Sequence, residues 1–471
     1  MFRPVVQGGM GVDVSPPRLA KEVSMLDGQV GQGTVTGAAV DIVVARKLQN
    51  GDPGGDYRRA LDHFPFPEIA QLVLDEYFML SDDSTPRIYK PTLRPSLEPS
   101  RLAIALLICA NFATVWLAKE GHENPISINY LEKMAMVHLY SIYGAMLAGV
   151  DIITMGAGIP LHIPDVLDAY ARGEAAEYPV PITGLDSGTI TMRFDPSEFF
   201  GQTVAALKRP KFLPIVSTDT LATLLKKKLS GGVWGFVIEG PGAGGHSAKP
   251  RRKPPAFNSS GEPVYDDLDK PNFKKLVALG LPFWLAGGYA SPEGLAQALS
   301  VGAAGIQVGS IFALCNESGL DPKIRCEVIR LYHHGKLRVR KDPRASSTGY
   351  PFNVIQLFGS LSDDGVYSDR HRTCSQGALL TPHRMPDGTI VYRCTAEPGR
   401  MYEAHGGDLA DTIGVRCLCN GLLSVVRLGD PGEPPIGTLG SDTGFLHYLT
   451  PNWYSSYSAA QAMDYILNRV A

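Results

Sequence analysis

Eight short apolar or glycine-punctuated segments, separated by stretches that suit helices, constrain this chain more than any other feature. They are Pro4–Gly9, Gln29–Thr36, Ile126–Leu131, Asp151–Gly156, Lys211–Thr218, Gly232–Gly240, Pro282–Gly288 and Gly305–Ser310. Most lack period-two alternation, which is the pattern of parallel strands covered on both faces. Helix-compatible stretches fall between several of them: Arg101–Lys119, Met134–Ala148, Thr220–Lys228, Phe273–Leu279 and Pro292–Val301. Strand–helix alternation repeated eight times predicts an α/β fold, a (β/α)8 barrel. A doubly wound open sheet is the alternative, but no phosphate fingerprint follows the first segment.

The chain has 471 residues, enough for two or three domains or for one barrel with insertions. The barrel is expected over residues 1–335, interrupted at about 50–100, 157–210 and 247–271. Such long connections are usually lids or oligomer contacts, and the second contains the strand-like Ser187–Phe194. From residue 336 to 471 turn signals such as Pro386-Asp387-Gly388 dominate, predicting a smaller C-terminal region packed on the barrel. The 51 glycines and 36 prolines fit an enzyme built on tight turns.

Net charge is −3, so no basic field exists to hold nucleic acid or an anionic membrane. A small-molecule substrate is the expected partner, and a homo-oligomer is compatible with the sequence. The opening MFRPVVQGGM lacks a signal-peptide pattern, which makes cytoplasm the expectation. The apolar run Leu102–Ala118 is at the lower limit of a bilayer span, but it contains Asn111 and Thr114 and reads as a buried core helix.

In a barrel of this kind the active site lies at the C-terminal ends of the strands. Those ends deliver Gly8, Gly9 and Met10 from the first strand, Asn129 from the third and Ser217 from the fifth. The sixth delivers Glu239 and then a glycine-rich loop with Gly244, Gly245 and His246. The last two deliver Gly287 and Gly288, then Gly309 and Ser310. Glycines after strands seven and eight sit where barrels often bind phosphate; tight turns alone would also explain them. Ser291-Pro292-Glu293 reads as an N-cap followed by an N1 proline, starting a helix beside them. His246, held above the barrel mouth, suits a base, acid or oxyanion partner near neutral pH.

Gly240-x-Gly242-x-x-Gly245 satisfies a dinucleotide fingerprint, yet Pro250, Pro254 and Pro255 forbid the helix that must follow. The basic run Lys249, Arg251, Arg252 and Lys253 reads first as a solvated loop and second as an attractor of phosphate-bearing ligands. Of seven cysteines, Cys374, Cys394, Cys417 and Cys419 cluster late, spaced C-x19-C-x22-C-x-C. Four thiols suit a zinc ion or an iron–sulfur cluster, but the spacing lacks a Cys-x-x-Cys pair, so no metal ligands are assigned.

Four pieces in order resemble the nitronate monooxygenase (2-nitropropane dioxygenase-like) family of FMN-binding TIM barrels. These are PVVQGGMG, ISINYL, EGPGAGGHS with the family's Gly-Gly-His, and AGGYASPEGLAQALSVGAAGIQVGSIFAL, where Ser310 stands at a common Thr. They span about residues 1–315; the C-terminal region resembles that of a longer bacterial branch. The resemblance implies FMN, with its phosphate on Gly287, Gly288, Gly309 and Ser310. The ring would lie near Gly8, Gly9, Met10 and Asn129, with Ser217, Glu239, Gly244 and Gly245 also against the cofactor. It implies that His246 acts as base or anion partner. Pro241 and the basic, proline-rich stretch after His246 depart from the family, and the insertions reshape the substrate pocket. Oxidation of nitronates with O2 is the first functional expectation. An NAD(P)H-dependent FMN reductase of enoyl thioesters or quinones is the second, and a non-catalytic, FMN-retaining subunit of a complex is the third.

Overall fold

The computed structural model describes residues 3–26, 30–80, 88–185, 187–229 and 232–469. Gln29 of the second expected strand, and residues 81–87 within the first expected insertion, lie outside them.

The eight expected segments form the eight strands of a closed, all-parallel barrel in which each strand pairs with its neighbours in sequence. These are β1 (Val5–Gln7), β2 (Gly31–Thr36), β3 (Ile126–Leu131), β4 (Ile152–Gly156), β5 (Lys211–Val216), β6 (Phe236–Glu239), β7 (Phe283–Ala286) and β8 (Gly305–Val308). β8 pairs with β1 in register Ile306 to Val5, which closes the ring. The chain is therefore a (β/α)8 barrel. Most strands are shorter than expected at their C-terminal ends, because the terminal glycines and serines leave the ladder to form the mouth loops. Ser310, read as the end of a strand, instead begins the short helix Ser310–Ala313.

The barrel interior is filled, not open: Val6, Ile152, Leu213, Val237, Trp284 and Ala286 form a buried layer of their own. The expected helices are present within one or two residues, as at Asp219–Lys228, Phe273–Ala278 and Pro292–Ser300. Ser291 Oγ accepts from Gly294 N at 3.0 Å, the N-cap that the Ser-Pro-Glu run implied. The Met134–Ala148 stretch splits into a 3-10 turn at Ala135–Val137 and a helix at His138–Leu147.

Arg101–Lys119 is one helix of 19 residues, long and apolar enough to cross a membrane by length and composition. It is buried instead in the fold, among the helices Pro17–Met25, Val40–Gln49, Asp56–Asp62, Pro67–Tyr77 and His138–Leu147. Two of those helices correct the reading of residues 50–100 as a loop. Tyr57, Leu61, Ile69, Val73 and Tyr77 place apolar side chains at helical spacing, and all are buried.

The second interruption, 157–210, carries a helix (Ile163–Ala171), a hairpin (Ala176–Gly184 with Gly188–Phe194) and a short helix (Pro196–Phe200). The hairpin is completed from the C-terminal region. Thr381–Arg384 adds in parallel to Ala176–Gly184, and Ile390–Arg393 adds antiparallel to it. The turn between those two late strands is the Pro386-Asp387-Gly388 signal, with Asp387 Oδ1 accepting from Thr389 N at 2.9 Å.

Candidate active site

Gln7 at the end of β1 organises the first mouth loop. Its buried amide donates to Ser15 Oγ at 2.7 Å and Thr34 O at 3.0 Å, and accepts from Thr34 N at 3.0 Å. Ser15 Oγ in turn accepts from Met10 N at 2.9 Å. Gly9 lies against β2 and β3 so closely that a Cβ there would sit 2.4 Å from Asn129 Cβ and 2.8 Å from Thr34 Cγ2. Asn129 donates to Gly9 O at 2.9 Å and accepts from Thr154 Oγ1 at 2.9 Å, so its amide braces this loop.

The loops after β6, β7 and β8 meet on the other side of the mouth. Gly287 has φ +91°, and a Cβ would fall 2.8 Å from Gly240 O; only glycine turns the chain here. Gly288, at φ +97°, has open space where a Cβ would be. The nine-residue helix Pro292–Ser300 begins just beyond, so its N-terminal dipole and the Gly288 backbone lie together.

After β6 the chain does not enter a helix, which removes the dinucleotide fingerprint. It enters a two-residue strand, Gly245–His246, that pairs with Phe352–Ile355, which in turn pairs with Val339–Asp342. The C-terminal region thus supplies the wall behind His246. His246 Nε2 is 2.7 Å from Ser346 Oγ, and its ring stands edge-on to Phe352 at 4.9 Å. Thr438 Oγ1 accepts from Gly245 N at 2.7 Å, and Ser310 Oγ accepts from Gly440 N at 2.7 Å.

All thirteen residues picked from the sequence line one cavity of about 430 Å³ at the C-terminal mouth of the barrel. That is in the range of about 300–1,000 Å³ common for small-molecule and cofactor sites. Sequence reading missed the part of the lining that comes from the C-terminal region: Tyr350, Phe352, Thr438, Leu439, Gly440 and Asp442. No motif announces them, because they belong to loops and to strands added from more than a hundred residues away. Thr36, at the end of β2, was also missed; its buried Oγ1 has no partner within the protein.

The electrostatics of the cavity are dominated by burial. Desolvation lowers His246 to about 4, so its imidazole is neutral at pH 7. Burial raises Glu239 to about 7, opposed by the positive charge of Lys341. Lys341 is itself lowered to about 8 by burial, and its Nζ donates to Ser247 Oγ at 2.7 Å. In the basic run after His246, Arg252 is paired with Asp266 at 2.7 Å, while Arg251 keeps its charge and donates to Leu268 O at 2.8 Å.

The donor set fits FMN. A glycine turn with space for a Cβ and a nearby helix N-terminus suit an anionic phosphate. The unpartnered Thr36 hydroxyl and the mixed apolar and polar lining suit a flat ring with polar edges.

Residues 192–330 match the nitronate monooxygenase family, so the family resemblance holds over β5 to β8 and the helix that follows them. No curated protein matches the chain by sequence. Among solved structures, FabK from Thermotoga maritima is 15% identical, with a TM-score of 0.48 over 99% of this chain and 92% of that one. A nitroalkane oxidase from Streptomyces ansochromogenes is 14% identical, with a TM-score of 0.46 over 99% and 96%. The enoyl reductase domain of MlnA, from the macrolactin biosynthesis cluster of Bacillus amyloliquefaciens, is 11% identical, with a TM-score of 0.48 over 98% and 93%.

Proposed function

From a chain whose residues 192–330 carry the nitronate monooxygenase match, we propose an FMN-dependent oxidoreductase that oxidises nitronates with O2. One observation carries the reading. The glycine loops at Gly287–Gly288 and Gly309–Ser310 and the imidazole of His246 open on the same cavity. Bound there, FMN supplies the redox chemistry, and the protein supplies placement and charge.

The backbone at Gly287, Gly288, Gly309 and Ser310 would hold the phosphate, helped by the N-terminus of Pro292–Ser300. Gly8, Gly9 and Met10, braced by Asn129, would contact the ring. Ser346 occupies Nε2 of His246, which leaves Nδ1 as the ring nitrogen free for substrate. Phe352 and Leu439 add apolar surface to the same cavity. Because burial holds His246 neutral, an anionic nitronate entering the cavity raises its proton affinity. The proton taken up then sits at Nδ1 and pairs with the substrate anion.

An NAD(P)H-dependent reductase of enoyl thioesters or quinones is the competing reading. Its support in this chain is the basic loop after His246, and the pairing of Arg252 with Asp266 within the protein weakens it. Anaerobic absorbance spectra of the purified protein with NADH, NADPH and a nitronate separate the readings. Flavin bleaching by the nitronate alone supports the proposal. Bleaching by NAD(P)H makes the protein a reductase. A flavin that responds to none of them, in a protein that purifies with a stable partner, indicates a non-catalytic subunit. A protein without a flavin band overturns the cofactor.

A further inference from the structure

The four late cysteines, 46 positions from first to last, converge on one small cavity. Cys374, Cys394, Cys417 and Cys419 all line it, together with Ser347 and Gln376. They arrive from three separate places: a segment after the helix Asp364–Asp369, the residue following the strand Ile390–Arg393, and the start of the helix Leu418–Val425. All four are unpaired thiols, and Cys417 is buried. Four thiols drawn from three segments to one place are the donor set of a thiolate-ligated metal centre.

Charges of both signs lie at the same place, where the buried Glu397 also lines the cavity. Arg94, from the first insertion, donates to the carbonyl oxygen of Cys374. Arg370 pairs with Glu433 at 2.7 Å, and its Nη2 is buried with no partner within the protein. The Gln376 Oε1 is likewise buried and unpartnered.

The spacing of the thiols discriminates between metals. A zinc ion holds each sulfur at about 2.3 Å and leaves no void among them. Here the four thiols line a common space instead of meeting at one point, and among the described residues no three His, Cys, Asp or Glu side chains are disposed to hold a single ion. Four cysteines around a central space are what a multi-iron core bridged by inorganic sulfide requires.

We propose that Cys374, Cys394, Cys417 and Cys419 ligate an iron–sulfur cluster of the [4Fe–4S] type. The cluster neighbours the barrel site. Ser347 lines its cavity, while Ser346, about 3.8 Å away between Cα atoms, holds His246. The helix Leu418–Val425 also reaches both, with Cys419 at one cavity and Leu422 at the other.

The test is iron, acid-labile sulfide and zinc analysis of the full-length protein purified without oxygen, with EPR after dithionite reduction. The expected result is about four irons and four sulfides per chain and a paramagnetic signal from the reduced cluster. Cys394→Ala and Cys419→Ala are expected to lose most of the iron, whereas Cys326→Ala, at an exposed cysteine outside the cavity, retains it. One zinc per chain without sulfide overturns the cluster in favour of a structural ion. Absence of both metals, persisting after anaerobic incubation with ferrous iron and sulfide, overturns the site altogether. Neither readout depends on flavin, so failure here is distinct from failure of the oxidoreductase reading.

Discussion

His246 and Ser346, one hundred residues apart, are joined by a 2.7 Å hydrogen bond across the mouth of the barrel. Ser346 is itself tied to Thr348, with its Oγ 2.8 Å from Thr348 Oγ1 and accepting from Thr348 N at 3.2 Å. The imidazole on the barrel loop is therefore oriented by a turn of the C-terminal region.

Ser346→Ala removes that orientation without touching the glycine loops. Turnover is expected to fall by about ten- to a hundredfold while flavin content stays normal, since a loosely held catalytic group loses its alignment. Steady-state kinetics beside a flavin-to-protein absorbance ratio measures both. An accompanying change in the pH profile distinguishes a positioning role from a general loss of structure.

His246→Ala is expected to leave the protein yellow and without turnover. Loss of flavin from this variant would mean that the side chain holds the cofactor instead of meeting the substrate.

Gly288→Asp puts a carboxylate into the open space beside the proposed phosphate, and flavin content is expected to drop severely. Position 288 has φ +97°, so any side chain there is strained. Gly288→Ala carries the strain without the charge and is expected to keep most of its flavin. Equal flavin content in the two variants would remove the phosphate assignment.

Glu239 gives the fold a pH dependence of defined sign. Burial raises its carboxyl from an ordinary value near 4.5 to about 7, so between those pH values the native state binds more protons than the unfolded chain. Its contribution is fully present below pH 4.5 and is lost as pH rises through 7. Urea denaturation of Glu239→Gln is therefore expected to show higher stability than the parent at pH 8 and a smaller gain at pH 5. The same gain at both pH values would contradict the assignment.

Arg46 tests the seam between the barrel and the C-terminal region. It is buried, pairs with Asp430 at 2.7 Å, donates to Leu428 O and stacks on Tyr89 at 4.4 Å. Arg46→Ala removes the cation from the partly exposed Asp430, which keeps a donor in Ser375, and is expected to cost about 1–2 kcal/mol. A urea midpoint unchanged from the parent would show that the two parts do not stabilise each other through this pair.

The barrel was legible in the sequence because its determinants are local. A buried parallel strand is a short apolar run, several helices carry their own start signal, as at Ser291-Pro292, and a barrel site is expected at the ends of the strands. Hence Gly8, Asn129, Glu239, His246, Gly288 and Ser310 could be gathered into one site before any coordinates, and they line one cavity. The helices at Asp56–Asp62 and Pro67–Tyr77 were hidden by the prolines and charges around them, although their buried residues keep a helical period.

What lies behind that site was decided only in three dimensions. Ser346 reaches His246, Thr381–Arg384 joins the hairpin at Ala176–Gly184, and four cysteines with no recognisable spacing converge on one cavity. Periodicity and turn signals report only how a residue sits relative to its near neighbours in the chain. Contacts spanning one to two hundred residues depend on which surfaces the completed barrel leaves uncovered, and no local pattern encodes that.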